Sequence, residues 1–173
     1  KKTFGGPMID LGSHFIDLAW WMMGRPRPIS IFKYTSNHLA KYLTKNEKVP
    51  WNKYDVEDYI FGGIRFEHKK FITFQMSYLI NTQKISKKIE FYGTKGGLLW
   101  PEAKLTTIKN NFAKTKSFFS REKTSASVSE LKHFINSIKK KVKQKPTLKE
   151  SKFMVKVINA FTKSRSVNKE VYL

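Results

Sequence analysis

EDYIFGGIRFEHKKFITFQMSYLI, residues 57–80, is the stretch that decides the fold. In its second half Ile72, Phe74, Met76, Tyr78 and Ile80 alternate with Thr73, Gln75 and Ser77. Successive side chains of a strand point to opposite faces, so this period of two reads as a strand with an apolar core on one side only. Residues 57–66 form a second apolar run. The polar His68-Lys69 corner between the two predicts a hairpin.

Toward the C-terminus the strand period continues through residues 84–92, where Ile85, Ile89 and Phe91 alternate. The turn Gly93-Thr94-Lys95-Gly96-Gly97 leads into residues 98–100, and weaker strands are read at 104–109 and 114–119. The period then changes. Ser127-Val128-Ser129-Glu130 and Thr147-Leu148-Lys149-Glu150 both match the capping box, in which a hydroxyl and a later Glu satisfy the orphan amides of a helix start. The first opens a helix with Leu131, Phe134, Ile135 and Ile138 on one side. The second opens one with Phe153, Met154, Val157, Ile158 and Phe161 on one side. A short strand at 170–173 closes the chain.

Toward the N-terminus, residues 29–36 have the β-branched and aromatic character of a strand. Residues 37–54 lack periodicity, contain Pro50 and Trp51, and read as a long loop. Residues 7–23 read as a helix closed by Gly24 with Pro26 just beyond. Met8, Ile9, Leu11, Phe15, Ile16, Leu18, Ala19, Trp20 and Trp21 surround it, which predicts burial nearly all round. Strands that follow one another without intervening helices make the fold class α+β: one large, mainly antiparallel sheet with helices packed on one face. The other face needs cover, and a like partner supplies it most simply, so a homo-oligomer through the open sheet face is expected.

Composition narrows the function. A chain of 173 residues, 40% hydrophobic and 14% aromatic, is a folding sequence with room for one sizeable core. It has no cysteine, which excludes disulfides, thiolate metal sites and thiol nucleophiles and suits a cytoplasmic location. The densest apolar stretch, residues 18–23, is far below the roughly 20 residues that cross a bilayer. Thirty-four basic residues against thirteen acidic give a net charge of +21. Only five are Arg (Arg25, Arg27, Arg65, Arg121 and Arg165), leaving 29 Lys spread along the chain, with one local run at residues 139–145. Nucleic-acid readers favour the bidentate fork of Arg, so the Lys excess reads as a solvated surface and argues against a nucleic-acid partner. The text starts on Lys1 and runs at once into a Gly-Gly-Pro turn, which reads as a cut end with a preceding segment.

Asp10, His14 and Asp17 stand at i, i+4 and i+7, one polar stripe at about 3.6 residues per turn. One reading is a hydrogen-bonded structural trio, with Asp10 favoured by the helix N-terminus and His14 satisfied by a carboxylate. The other is a His general base whose tautomer a carboxylate holds. Ligands on a single helix rarely close a metal site, so no metal is expected. Tyr78 and Asn81, at the end of the sheet, are candidates for contact with a bound hydroxyl; strand packing is the plainer alternative. His38, His68 and His133 read as surface residues. No G-x-G-x-x-G follows a strand, so no dinucleotide site is expected in this chain.

Gly5-Gly6-Pro7-Met8-Ile9-Asp10-Leu11-Gly12-Ser13-His14-Phe15-Ile16-Asp17-Leu18, followed by Trp21-Met22-Met23-Gly24, resembles a family signature. It is the G-G-x-x-x-D-x-G-x-H-x-x-D pattern of the glucose–fructose oxidoreductase/inositol dehydrogenase/MocA family. Val56-Glu57-Asp58, Ile64-Arg65-Phe66-Glu67, the run Ile89-Glu90-Phe91-Tyr92-Gly93-Thr94-Lys95-Gly96 and residues 164–173 are similar to the family in the same order. The sequence departs where members often carry a Trp two residues after the strand Ser, since Leu79 stands there, and residues 37–54 match nothing in the pattern. The resemblance implies that residues 1–173 are the substrate-binding and oligomerisation domain of an enzyme whose N-terminal Rossmann domain, absent from this chain, holds NAD or NADP. It implies a sugar or polyol substrate and a Lys from the absent half. His14 would take the hydroxyl proton while hydride leaves the same carbon, Asp10 would orient His14 or the sugar, and Asp17 would be a structural partner. Alone, the chain would be inactive. A non-catalytic dimerisation module of the same fold is the alternative.

Overall fold

The structure is a computed structural model and describes residues 5–43, 55–80, 82–84, 86–118, 125–139, 142–164 and 169–173. The chain divides into two compact units, Lys1–Gln83 with Leu148–Leu173, and Lys84–Thr147.

In the first unit a π-helical turn, Met8–Gly12, runs directly into α1, Ser13–Met22. β1 (Pro28–Ser36), a short α2 (His38–Leu43), β2 (Tyr59–Phe66) and β3 (Phe71–Ser77) follow. The chain returns to this unit with α4, Leu148–Ser164, and β8, Val171–Tyr172. The strands form an antiparallel sheet in the order β3-β2-β1-β8. The hairpin expected at His68-Lys69 is present. Both residues adopt positive φ, 58° and 57°, the conformation that matches a tight turn to the right-handed twist of its strands.

The row read as apolar in the sequence is the inner face of this sheet. Ile72, Phe74 and Met76 pack with Ile31, Ile60, Ile64 and Phe66 against Ile16 and Trp20 of α1 and Phe153, Val157 and Phe161 of α4. Trp20 stacks on Phe153 with ring centroids 3.7 Å apart, and its indole N–H donates to the Pro26 carbonyl at 2.9 Å, so its one polar atom is satisfied inside the core. On the outer face Phe32 and Phe61 meet edge to face at 6.4 Å, and Tyr34 and Phe71 are exposed.

The second unit is a meander. β4 (Ile89–Gly93), β5 (Gly96–Trp100), β6 (Lys104–Lys109) and β7 (Phe112–Ser117) pair antiparallel in chain order, followed by α3, Ala126–Lys139. Asn110 and Asn111, both at positive φ, make the β6–β7 turn. None of the described residues of this unit is buried.

The α+β class and the covered face therefore stand, with four differences from the sequence reading. The strands fall into two four-stranded sheets where one large sheet was expected; between β3 and β4 the described backbone carries bends rather than ladder pairing. The strand placed at 84–92 begins only at Ile89. The aperiodic segment 37–54 contains α2, whose start is fixed from a distance: the Asp58 carboxylate accepts the Ala40 amide at 2.7 Å. Residues 44–54 lie outside the described residues. The first capping box is displaced, because α3 starts at Ala126 and it is the hydroxyl of Ser125 that takes the Val128 amide, at 3.4 Å. The second helix starts at Leu148, where the Thr147 box places it.

Candidate active site

The site grows from the way the opening helix is wound. Ile9 and Asp10 both send their amides to the Gly6 carbonyl, at 3.1 and 3.3 Å, and the Ser13 amide reaches back five residues to the Met8 carbonyl. This wide turn needs space at Gly12, where a Cβ would stand 2.7 Å from the Met8 sulfur and 3.2 Å from that of Met76. Gly6 is tighter still: a Cβ there would lie 2.5 Å from the Glu57 carbonyl oxygen, so the turn is pressed against the start of β2. The Ser13 hydroxyl donates to the Ile9 carbonyl at 2.7 Å, satisfying a group that the wide winding leaves over.

The helix is not buried all round as its composition predicts. Met8, Gly12, Ile16, Ala19 and Trp20 face the core, whereas Ile9, Asp10, His14 and Trp21 are exposed, Trp21 at 54%. The polar stripe is therefore on an open face, together with apolar side chains. A π turn also breaks the regular spacing assumed for Asp10, His14 and Asp17. Asp10 belongs to the wide turn, while His14 and Asp17 share one regular α-helical face.

The three side chains have different partners. Asp10 Oδ2 accepts the phenol O–H of Tyr78 at 2.9 Å. His14 makes no hydrogen bond among the described residues and stands in electrostatic reach of Asp17. Asp17 is raised above its ordinary value, first by partial burial and then by the nearby Glu150 carboxylate, with Arg25 and His14 pulling the other way. Glu150 pairs with Arg25 at 2.6 Å, which ties the start of α4 to the end of α1. Asp17 thus joins an acid–base cluster between two helices, consistent with the structural part the family pattern gives it.

Tyr78 is supplied by the end of β3, which packs against the π turn. It follows β3 directly, and its amide donates to the Asp58 carbonyl at 3.2 Å. The same carbonyl accepts the Ser77 hydroxyl at 2.7 Å, and the Ser77 oxygen in turn accepts the Leu79 amide at 3.1 Å. Asp58 is fully buried. Its Oδ2 takes the Ala40 amide, and its Oδ1 has no hydrogen-bond partner among the described residues. In the sequence Asp58 stands out only within the family-like run Val56-Glu57-Asp58, and Ser77 only as the strand Ser of that pattern; neither is given a role there. Of the four residues named for substrate contact, the structure brings Asp10 and Tyr78 together and keeps His14 on the adjoining helical face. Asn81 lies outside the described residues.

The glycine pairs offer no cradle for a dinucleotide phosphate. Gly62 and Gly63 lie within β2, and the space a Cβ would need is taken by Phe32, Lys33, Ile72 and Phe74. Gly96 and Gly97 lie within β5, against the Thr106 and Phe91 carbonyls. The open helical face leaves His14 exposed. No helix among the described residues is long and apolar enough to cross a membrane, and no group of three or more His, Cys, Asp or Glu among them is placed to hold a metal ion.

Comparison with known proteins identifies the scaffold. D-glucoside 3-dehydrogenase of Escherichia coli (strain K12) is 28% identical over 109 residues, which is 61% of this chain and 31% of that protein. Among solved structures, the aldose-aldose oxidoreductase of Caulobacter crescentus, in complex with glycerol, superposes with a TM-score of 0.72 at 15% identity, over 98% of this chain and 48% of that one. A levoglucosan dehydrogenase in complex with NADH and L-sorbose gives 0.72 at 14% identity, over 94% and 48%. At such identities these two likenesses speak for the fold, and the chain spans about half the length of either. The family model described as the oxidoreductase family's C-terminal alpha/beta domain matches residues 1–173. The chain therefore belongs to the glucose–fructose oxidoreductase/inositol dehydrogenase/MocA family, as its C-terminal domain.

Proposed function

We propose that the chain is the substrate-binding and oligomerisation half of an NAD- or NADP-dependent oxidoreductase that oxidises a sugar or polyol hydroxyl. The observation that carries the reading is the open face of the opening helix. A helix anchored in the core by Ile16 and Trp20 presents Asp10 and His14 outward, where burial would have been the cheaper use of an apolar sequence. The nicotinamide, bound by an N-terminal half, supplies the hydride acceptor.

This chain's residues manage the proton and the position of the substrate. His14 takes the hydroxyl proton at the carbon that gives up hydride. Asp10 holds the reacting hydroxyl or the imidazole in line, and Tyr78 and Asn81 contact the sugar. Glycosides and aldoses fit the reading because the matched relatives are named for glucoside and aldose chemistry, and the accessible face carries Asp10 and His14 beside apolar side chains. The exposed aromatics Phe32, Tyr34, Phe61 and Phe71 on the outer sheet face support self-association of the same unit. A cytoplasmic setting follows from the nicotinamide pool such an enzyme draws on.

The test is a nicotinamide-reduction assay of the complete enzyme against glucosides, free aldoses and polyols with each cofactor. Turnover of at least one such substrate is expected, while residues 1–173 alone give none. Absence of turnover across the panel, in a protein that binds the nicotinamide cofactor, contradicts the reading.

A further inference from the structure

The Asp10–Tyr78 contact is built with more support than a chance surface hydrogen bond. Tyr78 sits just beyond the last paired residue of β3, where a chain end ordinarily frays. Here one carbonyl oxygen, that of Asp58, fastens it twice, through the Ser77 hydroxyl at 2.7 Å and the Tyr78 amide at 3.2 Å. Ser77 Oγ closes a further turn by accepting the Leu79 amide. Asp58 is itself immobilised: it is fully buried, its amide donates to the Ser36 carbonyl at 2.9 Å, and its carboxylate holds the start of α2. The phenol is therefore carried on a fixed backbone, and its only rotatable bonds are those of its own side chain. The backbone that carries the receiving carboxylate is held as well, because Asp10 stands on a π turn that Gly6 and Gly12 press against β2 and β3.

Resting on the function proposed above, we propose that Tyr78 is a positioning residue for Asp10. Its phenol binds Oδ2, which sets the plane of the carboxylate and leaves Oδ1, free of hydrogen bonds among the described residues, for the reacting hydroxyl or the His14 imidazole. A substrate contact of Tyr78 through its ring, which Tyr78→Phe keeps, is compatible with its hold on Asp10. Ser77 and Asp58 act one step further out, by holding Tyr78 in place. The bond is charge-assisted, the kind whose loss costs more than that of a neutral pair.

The experiment is a double-mutant cycle in the complete enzyme. Tyr78→Phe removes one oxygen and keeps the ring. It is expected to lower kcat by about tenfold to a hundredfold, with KM within about threefold and the thermal midpoint unchanged. In the Asp10→Ala background the same substitution is expected to have no further effect on kcat, because the group it positions is gone. Ser77→Ala is expected to lower kcat by a smaller factor, and to lose that effect when combined with Tyr78→Phe. Full additivity of Tyr78→Phe with Asp10→Ala, or wild-type kcat for Tyr78→Phe, overturns the proposal. His14→Ala separates the two levels of the argument. If it keeps wild-type turnover the proposed function fails, whereas if it abolishes turnover while Tyr78→Phe is silent, only the positioning role fails.

Discussion

Asp17 shows how a residue in the family pattern is tuned by its surroundings. Partial burial and the Glu150 carboxylate raise it above the ordinary carboxyl value of 3.8, so the folded chain holds the Asp17 proton to higher pH than the unfolded chain does. The stability this lends is present below 3.8 and is lost as pH rises through the raised folded value. Asp17→Asn mimics the protonated form. It is therefore expected to raise the thermal midpoint modestly at neutral pH, with the difference closing as pH falls toward 3.8, measured by thermal melts across that range. A lower midpoint at neutral pH would show that attraction to Arg25 and His14 outweighs burial. At this scale the sequence was partly legible. The spacing of Asp10, His14 and Asp17 located the stripe, but a uniform period could not foresee the π turn, which depends on Gly12 fitting between two methionine sulfurs contributed by different elements.

At the scale of elements, the period-two alternation at 72–76 and the helical stripe at 153–161 were both legible, because each element has one buried face and one wet one. Their meeting was not. That Trp20 would stack on Phe153 at 3.7 Å depends on how α1 and α4 cross the same sheet. Phe153→Ala removes the ring that also approaches Phe66 at 6.4 Å, at a position 6% exposed. A loss of about 3–5 kcal/mol is expected from chemical denaturation. A loss below about 1 kcal/mol would mean that the packing around α4 closes over the gap. α2 escaped the sequence reading because a helix of six residues carries too short a pattern, and its cap, Asp58, lies eighteen positions downstream.

For the molecule as a whole, a sheet covered by helices on one side leaves the aromatics of the other exposed, and a charge of +21 makes casual self-association costly. A partner that covers Phe32 and Phe61 must therefore gain apolar contact sufficient to overcome that repulsion. Phe61→Glu, at an outward position 43% exposed, is expected to shift the complete protein to a smaller species in sedimentation velocity without changing its circular dichroism. An unchanged sedimentation coefficient would contradict the self-association proposed for this face. Fold class was legible from composition and period. The division of strands between two sheets was not, since it is decided by where the backbone leaves the ladder after β3, in a stretch with no strong breaker of its own.

The central claim is that the outward face of the opening helix moves the substrate proton through His14. Steady-state turnover of His14→Ala in the complete enzyme, on the best substrate of the panel, tests it most directly. The account predicts a fall in kcat of about 10²–10⁴-fold with circular dichroism unchanged; turnover within about twofold of the wild type would contradict it.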